Sequence, residues 1–321
     1  MKLTTYRHRG EDRLGAISQD SVIDLNRAHR AICSTTALAD AEVPSQIVQF
    51  LQGGERALEL ARQALATVEG GIANNDQLVA EGILVPKNAA QLLAPVPRPP
   101  KIVAAWVNYG EHGKESKIQA PDQAPLFFSI WPTAVIGPGA PIVLPRISRD
   151  VDFEAELALV IGAKGKDIPA DKAYDYVAGY TCLNDVSARD FSLKRMIGTV
   201  GPSVIQKTFD TFAPMGPWLV TKDEISDPQT LDITLDIDDE RMQDSNTSTM
   251  NHHIPRIIEY LSQIATLEPG DVITTGTPPG VGFARTPPRF LKPGERVRIE
   301  IEKIGILENP VIAAAGRPAD W

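Results

Sequence analysis

The stretch DVDFEAELALVIG, residues 150–162, combines a hydrophobic strand pattern with closely spaced carboxylates. Side chains on a β-strand alternate between its two faces, so Asp152, Glu154 and Glu156 should share one face and the apolar residues between them the other. No lysine or arginine interrupts the acidic face. Like charges at successive positions of one face repel each other unless a cation offsets them. The stretch therefore predicts a strand whose acidic face meets a positive group.

Two interpretations of these carboxylates are open from the residues alone. An ordinary Glu-x-Glu pattern is typical of a half-buried strand with a solvated face. However, the run LALVIG that follows is apolar on both faces, which favours a buried strand. Buried carboxylates suit a hard divalent cation such as Mg²⁺, which prefers oxygen ligands and leaves positions open for water or substrate. Asp185, downstream in LNDVSARD, is a candidate third ligand, although it could equally cap a helical turn.

The chain from Lys101 onward is rich in short β-type runs. Segments such as KIVAAW, PIVLP, DITLDI and VRIEIEKIG are separated by Gly, Pro and Asp, as in strands joined by turns. Clear helical patterns in this half occur near residues 170–176 and 254–264. We therefore predict a mainly β region with minor helices.

The N-terminal part has a different organisation. Its first residues alternate β-type runs with turn clusters, which predicts a small antiparallel meander. From Pro44, apolar residues recur at helical spacing with a break at Gly53-Gly54, so a helix pair should cover one side of the meander. The stretch APVPRPPK, residues 94–101, can continue neither a helix nor a central strand. We predict an α+β protein with a small N-terminal domain of strands and helices over residues 1–95 and a mainly β domain over residues 96–321.

The composition argues against several classes of function. The 321 residues include 32 basic and 41 acidic ones, and the formal charge of -9 disfavours a surface for nucleic acid or anionic lipid. No stretch approaches the roughly 18 uncharged apolar residues needed to cross a bilayer, and the N-terminus has no apolar signal region. Cys33 and Cys182 form no zinc-type or disulfide-framework spacing. We expect a cytoplasmic protein whose partners are neither nucleic acid nor membrane.

Four segments, in this order and spacing, resemble the signature segments of the fumarylacetoacetate hydrolase (FAH) family. They are DFEAELALVIG, GYTCLNDVSARD, KTFDTFAPMGPWLV and TTGTPPGVG. The resemblance covers the region from Lys101 to Val311. It implies a catalytic domain of the family's type, a β-roll or mixed β-sandwich with minor helices, that forms a homodimer. The first 95 residues resemble the more variable N-terminal domain of bacterial members.

The resemblance also implies a metal site. Members of the family hold one divalent cation per subunit, Mg²⁺ or Mn²⁺, through a Glu-x-Glu pair and a downstream Asp. The matching residues here are Glu154, Glu156 and Asp185. Asp152 is expected to support them, and Arg189 is expected to pair with nearby acids rather than to touch substrate.

A second segment, WVNYGEHGKES, residues 106–116, contains His112 and Glu115 three positions apart. One helical turn would place them side by side, although such a pair is usually only a surface pair. The segment resembles the family's N-Y-x-x-H-x-x-E motif, which implies that His112 is a general base and Glu115 the carboxylate that orients it. Asn108 and Glu111 have the spacing of a capping box. Two glycines weaken this helix, so we predict a lid that becomes ordered when substrate binds.

The remaining site residues come from the same comparison with the family. Lys207, which would ordinarily be a solvated cation, matches an active-site lysine that could neutralise an oxyanion or a substrate carboxylate. Tyr109, Ser192 and Thr277 match substrate-binding positions, although the segment around Thr277 is above all a Pro-Gly turn between strands.

The reaction implied is metal-dependent hydrolysis of a carbon–carbon bond in a β-diketo acid, such as an acylpyruvate, fumarylpyruvate or fumarylacetoacetate. His112 and Glu115 would activate water, and the metal with Lys207 would stabilise the departing enolate. The alternative is a decarboxylase or isomerase of a related keto acid, either oxaloacetate or an aromatic ring-cleavage product. A more remote alternative is a non-catalytic metal-dependent binding protein, although no expected ligand or base is missing. No G-x-S-x-G segment supports a serine hydrolase.

Two departures from the family pattern bear on the substrate. Ile130 stands where many relatives have lysine, and Ser192 stands where glutamine is frequent. Both changes would remove polar substrate contacts. They predict a substrate tail that is larger or less anionic than that of the simplest keto diacids.

Overall fold

The computed structural model describes residues 1–33, 42–71, 73–118, 122–201 and 203–318. The N-terminal elements are β1 (Lys2–His8), β2 (Glu11–Ser18), β3 (Ser21–Asp24), α1 (Leu25–Cys33), α2 (Ile47–Gln52), α3 (Gly54–Glu69), α4 (Asn75–Ala80), β4 (Leu84–Pro86) and β5 (Gln91–Leu92). The following strands are β6 (Ile102–Trp106), β7 (Leu126–Ile130), β8 (Val135–Ile136), β9 (Ile142–Leu144), β10 (Val151–Asp152), β11 (Ala155–Ile161), β12 (Val177–Asn184), β13 (Ser187–Ala188), β14 (Ala213–Thr221), β15 (Asp232–Ile237), β16 (Glu240–Asn246), β17 (Val272–Thr274), β18 (Arg296–Ile301) and β19 (Gly305–Ala313). The helices among them are α5 (Gly110–Ser116), α6 (Leu193–Ile197) and α7 (Ile254–Ile264).

One large mixed sheet organises the molecule. Its strands lie in the order β4-β3-β2-β1-β14-β12-β11-β17-β6-β7, with β5 beside β1 and β8 beside β14. The antiparallel pairing of β1, β2 and β3 confirms the predicted meander. Strand β1 also pairs with β14, with Lys2 opposite Val220. The sheet therefore continues across the predicted boundary between residues 95 and 96, and the division into two domains at that point stays a prediction.

The stretch that predicted the central strand lies in the middle of this sheet. Its odd-numbered residues, such as Phe153 and Leu157, belong to one hydrophobic core, and the even-numbered Ala158 and Val160 belong to another. The predicted alternation and burial are therefore confirmed. The strand is not continuous, however, because it is interrupted between β10 and β11. At the interruption, the N–H groups of residues 153–155 donate to side-chain oxygens instead of to a neighbouring strand.

A second sheet packs on the first. It has the order β16-β15-β18-β19-β9, and its strands contact β11, β12 and β14 of the large sheet. The larger hydrophobic core fills the space between the two sheets and extends to α7. This arrangement of mixed sheets with few helices confirms the predicted α+β class, with a mainly β C-terminal region.

Helices α2 and α3 cover the opposite side of the large sheet. They meet at Gly53-Gly54, as predicted, and pack on β1 and β2 through the second core. The predicted helix at Ile254–Ile264 is α7, whereas Ala170–Tyr176 forms a 3₁₀ turn rather than an α-helix. In the described part of the chain, no helix is both long and apolar enough to span a bilayer.

Candidate active site

A cavity of about 500 Å³ lies at the ends of β11 and β12, within the size range of small-molecule sites. Buried carboxylates form one end of it. Its walls combine polar groups with the apolar side chains Trp106, Phe128, Phe283 and Phe290. A polar end with largely apolar walls is suited to a small acid whose charged groups are held at fixed positions.

The polar end is built by two neighbouring strands. Glu154 precedes β11, Glu156 lies on it, and Asp185 directly follows β12. Because β11 and β12 are antiparallel with Ala155 opposite Asn184, the three carboxylates come together. The Asp185 N–H donates to the Glu154 carbonyl at 2.9 Å. One oxygen from each of the three buried carboxylates lies within 4.8 Å of the others, so the structure places the predicted ligands in one cluster.

Two buried cations neutralise part of this cluster. The Lys207 ammonium donates to Glu154 Oε2 at 2.6 Å and to Asp185 Oδ2 at 2.7 Å. The Arg189 guanidinium donates to Glu154 Oε1 at 2.5 Å. Burial alone would raise the pKa of Glu154, but Lys207 and Arg189 outweigh it and hold that pKa at about 2. Glu154 is therefore ionised at neutral pH.

The other two carboxylates are less well compensated. Burial, together with the charges of Asp185 and Glu154, raises the pKa of Glu156 well above its ordinary value. Burial also raises the pKa of Asp185 to about 7, against the opposing effect of Lys207. The backbone N–H of Gly276 donates to Glu156 Oε2 at 2.9 Å, which is a neutral rather than a cationic partner. The cluster therefore contains more negative charge than its protein cations balance.

Asp152 and Arg189 support the cluster from one side. Asp152 accepts hydrogen bonds from the N–H groups of Gly282 and Phe283 and from Arg189 Nε, which lies 2.8 Å away. The Arg189 guanidinium also lies over the Phe283 ring, 4.2 Å from its centroid. Arg189 thus pairs with acids, and Asp152 has the supporting position expected from the sequence.

The cluster fits a hard divalent cation. Its donors are all oxygens, and Asp185 Oδ1 is buried without a hydrogen-bond partner among the described residues. Four carboxylates, counting Asp152, surround Lys207 and Arg189, which leaves a formal charge of -2. One divalent ion would balance that charge. Oxygen-only ligands in such a site are typical of Mg²⁺ or Mn²⁺.

The predicted base lies on the wall of the same cavity. On α5, His112 Nδ1 lies 2.9 Å from Glu115 Oε1, and His112 lines the cavity with most of its surface buried. A carboxylate accepts, so in the neutral form of the imidazole Nδ1 carries the hydrogen and Nε2 the lone pair. The Gly280 N–H donates to the other oxygen of Glu115 at 2.9 Å. The pair is therefore held to the loop after β17.

Comparison with known proteins identifies the family. The sequence profile described as fumarylacetoacetate (FAA) hydrolase C-terminal matches residues 101–312, about two thirds of the chain. The chain belongs to the FAH family. It is 43% identical over 274 residues to oxaloacetate tautomerase Fahd2a, mitochondrial, of Rattus norvegicus, covering 85% of this chain and 82% of the relative.

Solved structures of FAH-family enzymes share the fold. Maleylpyruvate hydrolase from Sphingobium sp. SYK-6, solved with manganese(II) and pyruvate, superposes with a TM-score of 0.72 at 32% identity and covers 98% of this chain and 100% of its own. A 5-carboxymethyl-2-hydroxymuconate delta-isomerase from Mycobacterium smegmatis superposes with a TM-score of 0.70 at 30% identity. The match covers 98% of this chain and 100% of the isomerase chain. These similarities confirm the FAH-type fold.

The capping box predicted on the His112 segment of this FAH-family chain is wrong. Asn108 does not cap α5, which begins after Tyr109 without a side-chain cap. Its amide instead donates to the carbonyls of His252 and Thr275, and its oxygen accepts the His252 N–H. Asn108 therefore ties the start of the segment to two distant loops. Glu111 is exposed and pairs with Lys114 at 2.6 Å.

The three predicted substrate-binding residues have different positions in the FAH-type site. Ser192 and Thr277 line the cavity. The Thr277 hydroxyl donates to the Ala155 carbonyl and accepts from Gln243, so its hydrogen is already used within the protein. Tyr109 is almost fully buried, and burial raises the pKa of its phenol. Their roles toward substrate stay predictions.

Ile130 does not have the position expected of a substrate contact. It is 1% exposed, packs in the second core and does not line the cavity. The prediction that isoleucine in place of lysine at this position removes a polar contact with the substrate is therefore wrong. Phe128, two residues earlier on β7, lines the cavity instead. The Lys207 Nζ lies over its ring, 5.5 Å from the ring centroid.

Several residues of this FAH-family site were not singled out from sequence. Gln206 and Ser116 line the cavity, and Gln206 Oε1 and Ser116 Oγ are buried without partners among the described residues. Lys194 and Arg195, on α6, line its exposed end. Adjacency to Lys207 in the signature segment was the one sequence signal that could have indicated Gln206.

Proposed function

We propose that this FAH-family chain is a metal-dependent tautomerase that interconverts the keto and enol forms of a short 2-oxo acid of the oxaloacetate class. The observation that carries the proposal is the position of the His112–Glu115 pair on the wall of the cavity that contains the carboxylate cluster. The 43% identity to an oxaloacetate tautomerase over most of both chains supports the choice of substrate class.

Glu154, Glu156 and Asp185 would hold the divalent cation, Mg²⁺ or Mn²⁺. A cation bound there supplies Lewis-acid polarisation of the substrate's oxygens and lowers the cost of enolate charge. The chain's own contribution to that site is the pair of cations that keeps Glu154 ionised. Lys207 is directed at two of the carboxylates, so we propose that it sets the charge of the site.

His112 would move the proton. In its neutral form the imidazole has a lone pair on Nε2, which can accept a proton from the carbon next to the 2-oxo group. Glu115 fixes the ring and stabilises the imidazolium formed in that step. Return of the proton to the oxygen of the same substrate completes the keto-to-enol conversion. Burial of His112 and Ser116 beside this path limits exchange of the proton with water.

A second candidate is hydrolysis of a carbon–carbon bond in an acylpyruvate. The same His112–Glu115 pair could take a proton from water, and the fold similarity to maleylpyruvate hydrolase supports this reaction class. Decarboxylation of oxaloacetate would use the same cation and enolate but needs no base.

We also propose a homodimer, which light scattering of the purified protein would test.

The decisive experiment separates these reactions with one set of proteins. Wild type, His112→Ala and the exposed-site control His253→Ala are compared with Mg²⁺, with Mn²⁺ and with EDTA. Enol absorbance reports tautomerisation of oxaloacetate, pyruvate release reports decarboxylation, and loss of the acetylpyruvate chromophore reports hydrolysis. We expect metal-dependent acceleration of the keto–enol equilibration without pyruvate release, lost in His112→Ala and kept in His253→Ala. Acetylpyruvate cleavage without tautomerisation would instead establish the hydrolase.

A further inference from the structure

We infer that Arg195, assisted by Lys194, binds the distal carboxylate of the substrate at the outer end of the cavity. The enzyme would therefore prefer 2-oxo dicarboxylates to 2-oxo acids with uncharged tails. This inference rests on the proposed function, because it assumes that the 2-oxo end of the substrate lies at the carboxylate cluster.

The cavity connects two differently charged ends. Its inner end is the buried cluster of Glu154, Glu156 and Asp185. Its outer end is lined by α6, where the Arg195 side chain is 58% exposed and Lys194 is also exposed. A small acid whose 2-oxo group is at the inner end would direct its tail toward these cations.

The inner cations are not available for a second carboxylate. Lys207 and Arg189 are committed to Asp152, Glu154 and Asp185 at hydrogen-bond distance. With a divalent ion added, the inner end is electrically balanced. The cavity walls also include the apolar side chains of Phe128, Phe283 and Val200, which offer no hydrogen-bond donor to a carboxylate.

The outer cations are less committed. Arg195 is paired with Asp150, whose side chain also lies at the cavity wall, and Lys194 forms no ion pair within the described residues. Helix α6 has no buried residue, so the protein core does not fix its side chains. An incoming carboxylate can therefore take the place of Asp150 on Arg195. A guanidinium binds a carboxylate through two parallel hydrogen bonds, which favours this exchange over a bond to Lys194 alone.

The test measures binding separately from turnover. Calorimetric titration of Mn²⁺-loaded protein compares oxaloacetate with pyruvate, which lacks the distal carboxylate. We expect wild type to prefer oxaloacetate and Arg195→Gln to bind it at least about tenfold more weakly, as expected for loss of a charge-assisted pair, with pyruvate unchanged. Asp150→Asn should bind oxaloacetate more tightly, because the competing carboxylate is gone. Lys172→Gln, an equal charge change at an exposed residue outside the cavity, should have no effect.

Two results would overturn the inference. One is a wild type without preference for the dicarboxylate, and the other is a preference that survives Arg195→Gln. A failure of the proposed function is distinguishable, since it would appear as absent turnover of oxaloacetate while the binding preference and its loss in Arg195→Gln remain. An equal loss for both ligands would instead assign Arg195 to the structure of α6 and would also overturn the inference.

Discussion

Glu115 holds His112 and Gly280 at the same time, with His112 Nδ1 2.9 Å from Oε1 and the Gly280 N–H 2.9 Å from Oε2. Both carboxylate oxygens are therefore used, one on the proposed base and one on the loop that follows β17. The Gly276 N–H of this loop also binds Glu156, one of the proposed metal ligands. The base and the metal site thus share one supporting loop.

Replacing Glu115 by Gln should uncouple the base from its support. The amide keeps the size of the side chain but cannot stabilise an imidazolium, so we expect kcat to fall by about 10- to 100-fold with little change in KM. Steady-state tautomerisation assays would measure this. The matched control is Glu111→Gln, an exposed acid on the same helix. Equal activity of the two variants would remove Glu115 from the mechanism.

Addition of the metal should stabilise the folded protein. A ligand at about 100 times its dissociation constant adds about 2.7 kcal/mol, which corresponds to several degrees in Tm for a chain of this size. Differential scanning fluorimetry with Mn²⁺ and then EDTA would detect the shift and its reversal. Asp185→Asn should abolish the shift, whereas Asp171→Asn, at an exposed site, should retain it. A full shift in Asp185→Asn would place the ion elsewhere.

Removal of the Lys207 charge should destabilise the metal-free protein. Lys207→Met leaves Glu154 and Asp185 buried with less compensation, and breaking a buried ion pair costs about 3–5 kcal/mol. We expect Mn²⁺ to restore part of this loss, since the ion supplies positive charge to the same carboxylates. Urea unfolding with and without Mn²⁺ would measure both effects. Unchanged stability without metal would show that Lys207 does not neutralise the cluster.

Gly282→Ala should disturb the support of the site. An added Cβ would lie 1.8 Å from the Arg289 carbonyl oxygen and 2.6 Å from Asp152 Oδ1, so the loop must move. Asp152 would lose the hydrogen bond from the Gly282 N–H. Arg189, which donates to Asp152, would then be held less firmly. We expect a loss of about 2 kcal/mol or more in unfolding free energy and weaker metal binding. Gly201→Ala, where the new atom meets only Leu193 at 3.6 Å, should keep wild-type stability.

The parts of the site that sequence predicted are those set by regular periodicity. Glu154 and Glu156 share a face because strand side chains alternate, and His112 meets Glu115 because a helical turn brings residues three apart together. Such local patterns do not show which strand will pair with which. From the residues alone, Asp185 could be either a metal ligand or a helix cap, and its pairing with Glu154 depends on the register of two separate strands.

The two wrong predictions, for Asn108 and Ile130, come from contacts between residues far apart in the sequence. Asn108 matched a local capping pattern, but its amide bonds to His252 and Thr275, 144 and 167 positions away in the chain. Ile130 was assigned to the cavity from its position in a motif, but its location on β7 places it in the core. Long-range contacts compete with local preferences, and a sequence alone does not say which of them prevails.

The pairing of β1 with β14 has a consequence for how members of this family can vary in length. A chain that lacked residues 1–95 would leave β14 with an open edge at Leu219 and Val220, where β1 pairs with it, and would remove α2 and α3 from the core that contains Leu219. Unprotected edges of this kind recruit strands from other molecules. Shorter relatives must therefore shield the corresponding strand with a different segment or with a neighbouring subunit, and grafting this catalytic region onto another scaffold would require carrying its first strand along.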